Sequence, residues 1–285
     1  MAVRDLETGT SRRLTNASGD FRDFALSCRI SPDGRQVAYS WYDSDGFYDL
    51  RLIGLDGSAP RVLHADREAE YVNPAAWSPD GTHVPVSSFG KDLVNRIGLV
   101  SVADGSMRIL KTLGSRVPRG FSYSPDGRHV AYDAPPEEGV TNGDVFLISI
   151  DGQQEIPLVQ HPANDVYPVW APDGTWVLFA SDRTGSLGLW GIPVADGTPR
   201  GPAQLVKRDV GGRICSLGFS RDGRFYYGLF VGMTDVYVAP STSRAGSCWP
   251  SRKGPPSASS GRTPAPTGRP TADTSPTSRT AVSPG

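Results

Sequence analysis

The sequence predicts an all-β propeller built from four-stranded antiparallel blades. Three observations carry that prediction: a short motif recurs at an even period, strand-like patterning surrounds each copy, and helical periodicity is absent throughout. The copies read "ISPDGRQVAYS" at 30–40, "WSPDGTHVPVS" at 77–87, "YSPDGRHVAYD" at 123–133, "WAPDGTWVLFA" at 170–180 and "FSRDGRFYYGL" at 219–229. Their shared aspartates, Asp33, Asp80, Asp126, Asp173 and Asp222, are separated by 47, 46, 47 and 49 residues. Five copies at so even a spacing mark a repeat architecture, and four short strands fill a repeat of this length.

Within each copy, Pro-Asp-Gly between apolar segments is a tight turn. Proline presets φ, aspartate bonds the local backbone, and glycine supplies a positive φ. The residues that follow alternate or are β-branched and aromatic, as in "QVAYSW" and "WVLFAS". A third strand and a turn come next, in "YDLRLIGLDG", "NRIGLVSVADG", "GDVFLISIDG" and "LGLWGIPVADG". A short edge strand closes each unit: "PRVLH", "MRILK", "EIPLV" and "AQLVK". One such sheet cannot bury both faces, so blades must pack face to face around an axis. Val37, Tyr39, Val130, Tyr132, Val177 and Phe179 should therefore be buried against neighbouring blades. So should Leu52, Ile97, Phe146 and Leu189. Pro85 interrupts the second copy, where it removes a ladder donor. The second blade is expected to be the least regular, with a distorted strand at Val84–Ser87. In the fifth copy Arg221 replaces the turn proline.

The chain opens with "AVRDLETGTSRRLTN", which matches the third and fourth strands of a blade without the first two. After "DVYVAP", a third strand, no fourth strand follows. The expectation is four complete blades, a fifth lacking its outer strand and an initial half blade, together six blades when intact. Residues 1–240 form this incomplete propeller and 241–285 a disordered tail rich in Pro, Ser, Thr and Arg. The stretch "TPAPTGRPTADTSP" at 263–276 has no core-forming residue. Shifted by one frame, codons for Arg262 to Thr277 can spell Asn-Thr-Gly-Pro-Asp-Trp-Ser-Pro-Asp-Gly-Arg-Tyr-Leu-Ala-Tyr-Phe. That is the repeat signature, near the right distance after Asp222. The tail is therefore expected to be out-of-frame translation, whether by sequencing error, gene lesion or programme. A genuine Pro/Ser/Thr linker and a disordered binding arm are the alternatives.

The stretches "PAAWSPDGTHV", "SDRTGSLGLWGIPVADGT" and "RDLETGTSRRLT" resemble the WD40-like (PD40) repeat of TolB-type β-propellers. The resemblance covers about residues 1–240 and implies the fold far more specifically than the function. It implies a non-catalytic binding or scaffolding propeller, part of a larger bacterial protein. The alternative is the substrate-gating propeller half of a prolyl-oligopeptidase-like serine peptidase, without its catalytic domain.

Charge narrows the choice of partner. The whole chain carries −1, and the tail after 240 holds six Lys/Arg and a single acid, so the body is acidic. An acidic body argues against nucleic acid as partner. No apolar run approaches a bilayer span, and no membrane segment is expected. The start has no basic segment followed by an apolar stretch. Compartment is thus cytoplasmic by default, or periplasmic if an upstream start precedes Met1. The spacing of Cys28, Cys215 and Cys248 fits neither a metal site nor a redox pair.

No catalytic or phosphate-binding motif occurs, so neither catalytic residues, metal ligands nor cofactor are expected. His83 and His129 follow the turns in register, and His64 and His161 end outer strands. "DSDG" at 43–46 reads as a solvated turn, because the calcium-loop pattern is not completed. The five turn aspartates read as structural, and Trp77 and Trp170 as core anchors. If the protein binds a protein or a small ligand, the loops leading into inner strands and those between second and third strands share one face. Candidates there are Tyr71, Asn73, Arg119, Tyr167 and Arg213 at the channel mouth. An aromatic-rich loop adds Trp41, Tyr42, Phe47 and Tyr48, and other loops add Glu137, Glu138 and Arg183. Exposed aromatics and arginines are common binding anchors.

Overall fold

The computed structural model of the protein describes residues 1–5, 7–15, 23–219 and 223–230. All of these belong to one unit of the chain, and residues 232–281, which form the other, lie outside them. The described secondary structure is entirely strand. An initial hairpin pairs β1 (Ala2–Arg4) with β2 (Ser11–Arg13). Blade one then comprises β3 (Phe24–Ile30), β4 (Gln36–Tyr42), β5 (Tyr48–Gly54) and β6 (Arg61–Ala65), hydrogen-bonded in chain order. Blade two repeats the pattern with β7 (Ala69–Pro74), β8 (His83–Gly90), β9 (Asn95–Ser101) and β10 (Met107–Gly114). Blade three contains β11 (Phe121–Tyr123), β12 (His129–Ala134), β13 (Asp144–Ser149) and β14 (Glu155–Val159).

Blade four has β15 (Asp165–Trp170), β16 (Trp176–Ser181) and β17 (Gly188–Ala195), and its outer strand is split. β18 (Thr198–Pro199) pairs the end of β17, while β19 (Gln204–Lys207) pairs its start. Two prolines in "TPRGPA" withhold backbone donors there, which accounts for the break. Blade five is described as the hairpin β20 (Arg213–Phe219) and β21 (Phe225–Phe230). Its third strand, Arg221 and Asp222, and the tail lie outside the described residues.

The turns explain why the repeat folds alike each time. Ser31 Oγ donates to Asp33 Oδ1 at 2.6 Å and accepts from the Gln36 amide at 2.9 Å. Ser78 with Asp80 and Ser124 with Asp126 repeat the contact at 2.6 Å. In blade four Ala171 stands in place of the serine, and Asp173 keeps its bond from the Thr175 amide at 3.0 Å. The turn glycine is left-handed each time, as at Gly34 (φ 71°) and Gly174 (φ 74°).

Burial follows the period as the sequence predicts. Val37, Tyr39, Leu52, Ile97, Val130, Tyr132, Phe146, Val177, Phe179 and Leu189 are all buried. Full burial of each large apolar side chain is worth about 1.5–3 kcal/mol. The apolar layers lie between blades: Leu50, Leu52 and Leu63 of blade one pack with Val72, Val84 and Val100 of blade two. A second device ties the outer rim. Arg61 on β6 donates to the Val102 carbonyl at 2.9 Å, and Arg108 on β10 to that of Ile150 at 2.6 Å. Arg12 on β2 makes the matching bond to the Leu55 carbonyl, and Leu14 packs beside Val37, Tyr39 and Ile53. The initial hairpin thus stands to blade one as the outer half of any blade stands to the next. At the blade three–four junction Ile156 replaces the arginine and packs beside Val194.

The expectation of a distorted strand at Val84–Ser87 is not met. β8 pairs β9 without a register shift from His83 to Phe89. The Pro85 carbonyl accepts from the Ala75 amide at 2.9 Å, so the missing Pro85 donor falls on the β7 side, at the end of that strand. The Ala75 carbonyl it would have met accepts instead from Arg29 Nε at 2.7 Å. The shortest inner strand is in blade three, where β11 has three residues.

Candidate functional site

The end of the propeller opposite the Pro-Asp-Gly turns gathers the segments leading into inner strands and the loops between second and third strands. Its densest polar arrangement lies between blades three and four, around Asp133. Seven residues after the turn aspartate, the other blades carry Ser40, Ser87, Ala180 and Leu229. β12 alone places a carboxyl at that register. Asp133 is fully buried. Its Oδ1 accepts from the Gly120 amide at 2.7 Å and from the Tyr167 amide at 3.2 Å. Gly120 precedes the inner strand of blade three, and Tyr167 lies on that of blade four. Ser40 makes a smaller version of the bridge, donating to the Val72 carbonyl and to Asn73 Oδ1.

Asp133 Oδ2 is buried without a hydrogen-bond partner among the described residues. Burial pushes the Asp133 carboxyl up to about 7, against the two amide bonds and the nearby Arg119 charge. Crowding fixes the residue types around it. A β-carbon on Gly120 would sit 2.8 Å from Tyr167 Cα and 3.0 Å from Asp133 Oδ1, so only glycine fits. Tyr167 takes φ 58° inside a β-bulge between Val166 and Val169. This left-handed conformation is strained for a bulky residue. Ser27 occupies the equivalent place in blade one, at φ 36°.

Arg119 is exposed at the rim of this junction. Its guanidinium donates to Asn164 Oδ1 at 3.1 Å and to the Thr141 carbonyl at 3.3 Å. Asn164 Oδ1 also accepts from the Gly143 amide at 2.8 Å, and its own amide donates to Asp182 at 2.9 Å. Just behind, Arg183 reaches both oxygens of the buried Asp165 at 2.8 Å and lies over the Trp190 ring, 4.7 Å from its centroid. Asp144 is raised by burial, opposed by the His161 amide bond, with the Asp165 charge adding to the rise.

Of the sequence-predicted residues, this junction brings together Arg119 and Tyr167, with Arg183 just behind them. The remaining candidates lie elsewhere. Tyr71 donates to Asn95 Oδ1 at 2.9 Å and stacks on Phe89, with its phenol raised by burial. Asn73 is held by Ser40. Trp41 does not sit in a loop: β4 continues through Tyr42, and Trp41 is buried beside Tyr39. The strand extends because Trp41 pairs Asp49 and Tyr42 pairs Tyr48 across the hairpin. Phe47, in the turn, is covered by Arg67 at 4.6 Å and Lys91 at 5.6 Å. Glu138 accepts from the Ser115 amide at 3.2 Å, and Glu137 is exposed. Arg213 lies on β20, its side chain outside the described residues. Asp33, Asp80, Asp126 and Asp173 hold their turns; the bonds to Ser31 and Ser78 and to turn amides keep Asp33 and Asp80 below the usual carboxylate range. Among the described residues no cluster of three His, Cys, Asp or Glu could hold a metal, and no helix is long and apolar enough to cross a membrane.

Sequence reasoning missed Asp133, Gly120 and Asn164. A signal existed for the first: "HVAYDA" places an acid where the aligned copies carry serine, alanine or leucine.

Residues 42–204 match the TolB beta propeller domain, PD40. An uncharacterized protein of Agrobacterium fabrum is 30% identical over 169 residues, 58% of this chain and 53% of that protein. The uncharacterized peptidase YuxL of Bacillus subtilis is 27% identical over 183 residues, 62% of this chain and 24% of its own length. The Tol-Pal system protein TolB of Anaeromyxobacter dehalogenans is 33% identical over 125 residues, covering 44% and 27%. The chain therefore spans about half of the first relative and about a quarter of the other two. Among solved structures, TolB from Acinetobacter baumannii superposes with a TM-score of 0.60 at 14% identity, over 78% of this chain and 52% of that one. That likeness is one of fold.

Proposed function

The chain belongs to the TolB beta propeller domain family, and from that premise we propose that it is a non-catalytic binding module. Its partner is a protein or a small ligand received at the channel mouth between blades three and four. One observation carries the reading: Asp133 is a buried carboxyl at a register where the same fold is satisfied by Ser40, Ser87 or Ala180. Burying an acid with one oxygen unpartnered is destabilising. It does so beneath Arg119 and the strained Tyr167, and polar groups set against stability are typical of functional sites. The Tol-Pal system relative supports a protein partner.

The test places a photo-crosslinking residue at Tyr167, and separately at Asp80 on the opposite end, in cells of the source organism. A specific adduct from Tyr167 but not from Asp80 is expected. Equal labelling from both ends, or none from Tyr167, would overturn the reading.

The likeness to a peptidase favours a second reading, in which the propeller gates a separate serine hydrolase. The gene decides between them: a neighbouring domain with G-x-S-x-G supports gating, and a regulatory or membrane segment supports a binding module.

A further inference from the structure

The arginines and lysines around this end of the propeller are mostly neutralised. Arg67 pairs with Asp43 at 3.2 Å, Lys91 with Glu68 at 3.5 Å and Arg183 with Asp165 at 2.8 Å. Arg119 differs. Its hydrogen bonds go to an amide oxygen and a carbonyl, both uncharged. A guanidinium has five donors, and those two bonds leave three. The group is exposed, fixed in place and retains its charge. Behind it lies Asp133, whose carboxyl the Arg119 charge acts to lower against the effect of burial.

We propose that the mouth between blades three and four binds a carboxylate-bearing ligand through Arg119, and that ionisation of the buried Asp133 weakens this binding. The proposal rests on the reading of this mouth as the binding site and adds the ligand's chemistry and its control.

The argument is one of linked charges. An anion docked on Arg119 and an ionised Asp133 would place two negative charges about one guanidinium, one of them buried and poorly screened. Each disfavours the other by the same factor, as reciprocity requires. The other ionisable groups at this end include Asp144 on β13, Asp165 and Tyr167 on β15, His161, whose charge acts on Asp144, and Asp182, which accepts from the Asn164 backbone amide. Asp165 is held by Arg183, and the share of the pH dependence that belongs to Asp133 is the share its substitution removes. Burial brings the Asp133 transition to about 7. The affinity for an anion should therefore rise as pH falls through neutrality, where glutamate side chains of a ligand are still ionised.

The experiment titrates the full chain with hexaglutamate, and with hexaglutamine as the uncharged control, by calorimetry at pH 5.5 and 8.5. A coupling of half to one pKa unit gives about threefold to tenfold tighter binding at the lower pH. Asp133→Asn should remove the difference, and Arg119→Gln should abolish binding at both values. Arg67→Gln should bind as the parent does. Asp133→Ser, the residue blade one uses at this position, serves as a second variant should the asparagine disturb folding. An equal affinity at both pH values, a pH dependence retained in both Asp133 variants, or unchanged binding by Arg119→Gln would overturn the proposal. Failure of hexaglutamate to bind at all would also overturn it. If crosslinks from Tyr167 persisted in that case, the binding-module reading would stand without it.

Discussion

Asp133 makes the sharpest prediction at the scale of single residues. Its native carboxyl is raised to about 7 from an ordinary value of 3.8. Between those values the folded protein holds a proton that the unfolded chain has released. Stability from this group is therefore full at low pH and is lost as pH rises toward 7. Asp133→Asn removes that slope. The melting temperature of the variant relative to the parent should climb between pH 4 and pH 8, by the equivalent of about 2–4 kcal/mol. Scanning calorimetry at five pH values measures it, and a constant difference would refute the prediction. Ala171 makes a second. Ser31, Ser78 and Ser124 stand there in blades one to three, each hydroxyl bridging the turn aspartate and an amide. Ala171→Ser should stabilise by about 0.5–1.5 kcal/mol, read as a higher denaturation midpoint; an unchanged or lower midpoint would show the fourth turn is built differently.

For whole elements, blade two shows how a strand absorbs a proline. The lost donor matters only through its acceptor, the Ala75 carbonyl, and Arg29 fills that place. Arg29→Met alone should cost about 1–3 kcal/mol, since the carbonyl loses its partner. In a Pro85→Val background the restored amide reaches the same carbonyl, so the cost should shrink by about 1 kcal/mol. A double-mutant cycle measures this coupling, and strict additivity would show that the two groups do not compete. The proline was legible as a fault in the sequence. Its remedy was not, because Arg29 lies 56 positions away on the neighbouring blade.

Across the whole molecule, the question is closure. The initial hairpin is docked on blade one by the same arginine–carbonyl bond that joins blades one to two and two to three. The other edge of β1 pairs with no described strand. Tyr226 and Leu229 on β21 are 52% and 45% exposed. Apolar exposure and unpaired edges of this kind favour aggregation. We propose that the shifted frame across Arg262 to Thr277 encodes the two strands that complete the sixth blade, and that residues 241–285 are out-of-frame translation. Restoring the frame should raise melting temperature and solubility together, with Tyr226 protected from solvent quenching. Nucleotide sequencing across codons 240–285 checks it first. A stop codon in the shifted frame, or failure to spell Trp-Ser-Pro-Asp-Gly over codons 267–272, ends the idea.

The repeat by itself determined the propeller, its strand order and its buried faces. Each of those follows from local patterning: a turn whose chemistry is complete within six residues, and alternation that survives in every copy. The tertiary structure alone decided which residues meet between blades. The carboxyl of Asp133 reaches the Tyr167 amide across 34 positions, and Arg119 reaches Asn164 across 45. Such contacts depend on how one sheet is rotated against the next, and no short-range pattern encodes that rotation. The same limit explains Trp41 and Asn73, whose residue types suit a ligand surface and whose neighbours turn them inward. Side-chain chemistry marks a residue as able to bind; the packing of adjacent blades decides whether solvent, a ligand or another strand receives it.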